Sequence, residues 1–222
     1  MISEDYIEKF LEDKLEKNTI LALGTSSTSH KVLKKLAVKN ILQDYNIKLI
    51  PSSLDIAQLA KEYEIDLVEI KNADLVIEFA SNADIIYNYA KTKTQSLIRD
   101  KVIAYHAKEV IVFIEKENYN LRINEFPVEV DRFGIDKTLN ALRVFGEAEI
   151  RHNEKGQKVK TLTQNYLIDM KVSKEYSYDD LEFKIKEIPG VLETGLFLGY
   201  ADKIFSVDKR HNIKEMKGKV KS

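Results

Sequence analysis

Hydrophobic positions in the first half of the chain fall into short continuous runs separated by stretches of helical period. Ile20-Leu21-Ala22-Leu23, Ile47-Lys48-Leu49-Ile50, Leu75-Val76-Ile77-Glu78-Phe79 and Val110-Ile111-Val112-Phe113-Ile114 read as buried parallel strands. Leu67-Val68-Glu69-Ile70 is strand-like as well. Ser3 can cap a polar helix running to about Lys17, with Tyr6, Phe10, Leu11 and Leu15 as its apolar stripe. Val32, Leu33, Leu36 and Ala37 mark a second helix, and Ile56, Leu59, Ala60 and Tyr63 a third. A fourth is expected over residues 84–107, broken near 91–94. This alternation predicts an open parallel sheet covered on both faces.

After Phe126-Pro127 the order changes. Val128-Glu129-Val130 is extended, residues 135–145 are helical, and residues 147–151 and 164–172 read as strands. Ser177 can cap a helix holding Leu181, Phe183, Ile185 and Ile188, which Pro189-Gly190 ends. Residues 191–198 form a further strand, so this span has the β-α-β-β-α-β order of a ferredoxin-like unit. Lys203-Ile204-Phe205-Ser206-Val207 then returns to the first sheet. The expected architecture is α/β: a Rossmann-like open parallel sheet (1–126 plus 199–222) with an inserted ferredoxin-like α+β domain (127–198).

Composition narrows the chemistry. With no Cys among 222 residues, disulfide scaffolds, thiolate zinc sites and Cys nucleophiles are excluded. The 35 basic and 36 acidic residues nearly cancel, which removes the basic excess that would argue for nucleic acid. No run approaches the ~18 apolar residues of a membrane span, and the acidic start lacks the pattern of a signal peptide, so a cytoplasmic protein is expected.

In open α/β sheets, ligands bind outside the carboxyl ends of the strands. Three such ends are small and polar here: residues 24–29, 51–53 and 80–84. Gly24 is followed by five hydroxyl residues that open a helix, where unpaired N–H groups and Ser/Thr side chains can hold an anion. The same composition also suits an ordinary capped turn. Acid–base candidates are Glu78, Asp84, Lys91, Lys93 and Asp100, each of which, taken alone, reads first as a solvated surface charge in a chain that is 32% charged. His30, His106, His152 and His211 are scattered, with none at a metal-ligand spacing, and His106 is expected to be partly buried at a helix end. No P-loop, G-x-G-x-x-G or G-x-S-x-G occurs.

Taken together these segments resemble ribose-5-phosphate isomerases of the A type. Gly24-Thr25-Ser26-Ser27-Thr28 is similar to the family's G-T-G-S-T loop, and Pro51-Ser52-Ser53 falls on its serine-rich loop. Ile98-Arg99-Asp100-Lys101-Val102-Ile103-Ala104 is similar to T-R-E-K-I-I-A, and Phe126-Pro127-Val128-Glu129-Val130 to a shortened F-P-x-P-V-E-V. Ile188-Pro189-Gly190-Val191, followed by Gly195 and Phe197, matches I-P-G-V-x-x-x-G-x-F.

The resemblance implies a cofactor-free aldose–ketose isomerase that acts on a small phosphorylated sugar and assembles as a homodimer or tetramer, with neither nucleic acid nor membrane as a partner. It places the base on Asp100, the loop lysine on Lys91, and substrate contacts on Gly24, Thr25, Ser26, Ser27, Thr28, Ser52, Ser53 and Ser81. The two aspartates of D-G-A-D-E fall on Glu78 and Ser81 without a gap, or on Ser81 and Asp84 with a two-residue insertion. Either way one carboxylate remains. Three glycines of the family become Thr92-Lys93-Thr94, and the second glycine of G-T-G-S-T becomes Ser26. These departures leave a second reading open, a non-catalytic phosphosugar-binding protein on the same fold. A third is a related isomerase or hydrolase acting on another phosphorylated molecule.

Overall fold

The computed structural model describes residues 2–69 and 72–218. Helix α1 (Glu4–Lys14) precedes strand β1 (Ile20–Leu23), helix α2 (Ser27–Val38), the single-turn α3 (Ile41–Asp44) and β2 (Lys48–Ile50). Helix α4 (Leu54–Glu62) and β3 (Leu75–Phe79) follow. The chain then forms two short strands, β4 (Asn82–Ala83) and β5 (Tyr89–Ala90), before α5 (Leu97–Tyr105) and β6 (Val110–Glu115).

β7 (Glu125–Val130), α6 (Ile135–Leu142), β8 (Gly146–Ile150), β9 (Tyr166–Val172), α7 (Tyr178–Lys186) and β10 (Val191–Thr194) come next. β11 (Leu196–Phe197), β12 (Lys203–Val207) and β13 (Ile213–Met216) complete the described chain.

The main sheet has the order β13-β12-β6-β3-β1-β2, parallel throughout except for β13 at its edge. Alternate residues of these strands serve opposite faces. Leu21, Leu23, Ile77 and Phe113 pack under α1, α2 and α4, whereas Ala22, Val76 and Val112 pack under α5 with Phe197. That alternation aims Glu78, two residues after Val76, at the α5 side.

The second sheet has the order β10-β7-β9-β8, antiparallel in every pair, with α6 and α7 packed on it. This is the ferredoxin-like arrangement the period change predicted. Its first strand starts at Glu125, two residues ahead of the expected boundary.

Several expectations are corrected. Residues 84–107 are not one broken helix: Asp84 folds a turn by accepting from the N–H groups of Ile86 and Asn88, both at 2.9 Å, and the helix covers only its last third. The strand expected over 191–198 splits at Gly195, because β10 belongs to the antiparallel sheet while β11 joins β5 and β4 in a separate three-stranded sheet. The strand-like run at 67–70 is reduced to a bridge between Leu67 and Leu49, and Ile70 lies outside the described residues.

α2 begins inside the hydroxyl run because Ser26 caps it, its Oγ accepting from Ser29 N at 3.0 Å. Ser3 holds the cap position of α1 without a side-chain cap bond, and α1 stops at Lys14 rather than Lys17. His106 is exposed, at the end of α5 against Tyr105.

Candidate active site

Three charged side chains meet beneath the carboxyl ends of β1 and β3. Lys91 Nζ lies 2.5 Å from Glu78 Oε2 and 2.6 Å from Asp100 Oδ2. Each of the three is at most 2% exposed. They come from different elements: Glu78 from β3, Lys91 from the residue after β5, and Asp100 from the first turn of α5. Lys91 also sits over the Phe197 ring at 5.7 Å, and its N–H donates to Gly195 O.

Asp100 collects further donors. Thr25 gives it both its N–H (3.2 Å) and its hydroxyl (3.1 Å) at Oδ1, and Thr94 gives its hydroxyl (2.8 Å) at Oδ2. The turn after β1 is thereby tied to α5. The Ser52 carbonyl accepts from Ser96 Oγ at 3.0 Å and from Thr25 Oγ1 at 3.4 Å, bringing the loop after β2 to the same place. Glu129 of β7 holds the start of α5, accepting from Ile98 N at 3.3 Å, so a carboxylate meets the positive end of that helix dipole.

Burial pushes the Glu78 carboxyl up to about 7; Lys91 opposes the rise and Asp100 adds to it. Burial also works against the Lys91 ammonium, but Asp100 and Glu78 outweigh it and hold its pKa above that of an ordinary lysine. Glu78 Oε1 and the hydroxyl of Tyr89 are buried without a hydrogen-bond partner among the described residues. Burial keeps the Tyr89 phenol protonated. The cluster thus combines one cation, one carboxylate with several donors, and one carboxyl that exchanges its proton near neutrality.

Gly24, Thr25, Ser52, Glu78, Lys91 and Asp100 converge here, and Ser81 joins through Thr92, whose N–H donates to Ser81 Oγ at 3.0 Å. Ser26 caps α2, while Ser27 is exposed and Thr28 half-buried at the helix start. Ser53 caps α4 through Ile56 N. Asp84 contacts none of the three charges, because its carboxylate is taken up by its own turn. Lys93 is exposed. Among the described residues no group of three His, Asp or Glu side chains could hold a metal ion.

Thr94 and Arg151 were not foreseen from the sequence. Thr94 carried a signal, its place three residues after Lys91, but it stands where a glycine was expected. Arg151 carried none, because its contact joins the end of β8 to carbonyls 57 and 59 residues earlier in the chain.

The family model for ribose 5-phosphate isomerase A (phosphoriboisomerase A) matches residues 48–210. Ribose-5-phosphate isomerase A of Thermoplasma volcanium is 31% identical over 192 residues, covering 84% of this chain and 80% of that protein. A ribose 5-phosphate isomerase of Plasmodium falciparum superposes with a TM-score of 0.87 at 22% identity, over 99% of this chain and 100% of the other. A D-ribose-5-phosphate isomerase solved in complex with phospho-erythronic acid gives 0.84 at 25% identity, with 96% of each chain covered. With the family model spanning most of its length and a relative above 30% identity, this chain belongs to the ribose 5-phosphate isomerase A family.

Proposed function

We propose that the protein interconverts ribose 5-phosphate and ribulose 5-phosphate through an enediolate, with Asp100, Lys91 and Glu78 as its acid–base group. The observation that carries this reading is the buried cluster itself, a carboxylate and a carboxyl on one ammonium. In the aldose-to-ketose direction, the Asp100 carboxylate takes the proton from C2 and returns it to C1. Lys91 faces the oxygen on which negative charge develops, where a preorganised cation stabilises the transition state more than the ground state. Glu78 gives its proton to O1 and takes one back from the O2 hydroxyl, a role suited to a carboxyl poised near 7.

The phosphate anchor in this reading is the turn of Gly24, Thr25, Ser26, Ser27 and Thr28. The first N–H groups of α2 have no preceding helical carbonyl, and the helix dipole favours an anion there. Ser52, Ser53 and Ser81 border the same strand ends. The complex of a relative with phospho-erythronic acid supports an anionic phosphosugar as the ligand. The reading extends to the pentose phosphate pathway, a cytoplasmic location and a homo-oligomer (dimer or tetramer), for which family membership is the support. No helix among the described residues is long and apolar enough to cross a membrane.

The test is a coupled assay for ribulose 5-phosphate formation, run on wild type and Asp100→Asn. Wild type should turn over far above the buffer rate, and the variant should lose on the order of 10²-fold or more while still binding sugar phosphate. Wild-type turnover at the buffer rate with retained binding would instead make the protein a phosphosugar binder.

A further inference from the structure

Arg151 stands just beyond β8, and its backbone is fixed by the antiparallel sheet, with its N–H on Leu167 O at 2.9 Å. Its guanidinium leaves that sheet and meets the segment that carries Lys91. Nη1 donates to Thr94 O and Nη2 to Thr92 O, each at 2.6 Å. On the opposite side Nε donates to both carboxylate oxygens of Asp169, at 2.9 and 3.1 Å, and Nη2 pairs with the same group. One planar fork therefore ties two carbonyls of the segment to a carboxylate carried on β9.

Residues 91–94 belong to no helix or strand, and beyond the Lys91 N–H on Gly195 O no backbone ladder sets the position of residues 92–94. Yet two side chains of this short segment, Lys91 and Thr94, reach the same oxygen of Asp100, at 2.6 and 2.8 Å. Ser81 holds the segment at Thr92 through Oγ. Arg151 holds it at the carbonyls one and three residues after Lys91. A lysine in its place offers one nitrogen and cannot bridge both carbonyls and the carboxylate.

We infer that Arg151 is a positioning residue for the isomerisation, setting Lys91 and Thr94 against Asp100 through the backbone of Thr92 and Thr94. The inference rests on the reading of Asp100 and Lys91 as the acid–base site. An error of about an ångström in such a site costs on the order of 10²-fold in rate. The turn at residues 24–28, the proposed phosphate anchor, makes no hydrogen bond with Arg151, so substrate binding should be spared.

The experiment compares wild type, Arg151→Lys, Thr94→Val and the double variant in the ribose 5-phosphate assay, with Asp100→Asn in parallel. Arg151→Lys should lower kcat at least ~10-fold with KM changed less than ~3-fold. The double variant should be little worse than the more damaged single, because both changes disturb one contact on Asp100. A merely structural role predicts a lowered urea midpoint, kcat per folded molecule near wild type, and multiplying rather than overlapping effects; that result overturns the inference.

If Arg151→Lys does not fold, Asp169→Asn takes its place in the same cycle, since it keeps the guanidinium and frees it from its anchor. A kcat drop of ~3-fold or more that overlaps with Thr94→Val supports the inference, and wild-type kcat overturns it. An inactive wild type would defeat the functional reading together with the inference. Active wild type, impaired Asp100→Asn and normal Arg151→Lys defeat the inference alone.

Discussion

Gly24 and Glu78 are packed so closely that a β-carbon on Gly24 would lie 1.8 Å from Glu78 Oε2. The backbone of Gly24 is not in the left-handed region, so the requirement is one of space and not of conformation. Gly24→Ala should therefore push Glu78 off Lys91 without straining the turn. We expect about 1–3 kcal/mol of lost stability in urea unfolding, typical of overpacking, and at least ~10-fold lower turnover, because the displaced carboxyl is central to the cluster on Lys91.

The raised Glu78 carboxyl makes a pH prediction. Its folded value of about 7 lies above the ordinary 4.5, so between those values the native state holds a proton that the unfolded state has released. Stability from this group is therefore present at the acid end and lost as pH rises toward 7. The stability of wild type relative to Glu78→Gln should be greater at pH 5 than at pH 7 by roughly 2 kcal/mol. Urea melts of both proteins at the two pH values measure it, and a pH-independent difference would place the carboxyl in its ordinary range.

Lys91→Met removes the only side-chain cation within ion-pair distance of Glu78 and Asp100 in the described structure. Breaking a buried pair from one side costs about 3–5 kcal/mol, and turnover should fall to background. Because burial already raises the Glu78 carboxyl, it is protonated at the acid end, and the deficit should shrink at lower pH. Chemical unfolding at pH 5.5 and pH 8 checks this, with an equal deficit at both as the contrary result.

A second buried lysine lies on the next residue of α5 to Asp100. Lys101 Nζ reaches Glu182 Oε1 at 2.7 Å and Glu193 Oε1 at 2.8 Å, joining α5 to α7 and β10. Lys101→Met leaves two partly buried carboxylates side by side and should cost roughly 2–4 kcal/mol. An unchanged urea midpoint would show that solvent already screens the pair.

The fold was legible where local period reports burial. The apolar runs of β1, β3 and β6 are buried on both faces, and their alternation with helices forced the parallel sheet. The ferredoxin-like span was readable for the same reason, down to the Ser177 cap that accepts from Asp180 N.

What escaped was structure made by partners distant in the chain. Tyr89 and Ala90 form a strand between Asn82–Ala83 on one side and the distant Leu196–Phe197 on the other, and no local pattern marks a two-residue strand. Among site residues, the sequence singled out Glu78, Lys91 and Asp100 but left Glu78 and Asp84 as alternatives. Geometry separates the two, since β3 aims one at Lys91 and a turn consumes the other.

The pairing of β5 with β11 sets the order in which this protein can be completed. Glu78, Lys91 and Asp100 leave the ribosome close together, but the aromatic floor under Lys91 and the Gly195 carbonyl that receives its N–H come about a hundred residues later. At synthesis speeds of ~5–20 residues per second, that gap is roughly 5–20 s. During that interval the strand that leads into Lys91 lacks one of its two partners. A chain interrupted before Phe197 would carry every acid–base group and still lack the ring that packs against Lys91.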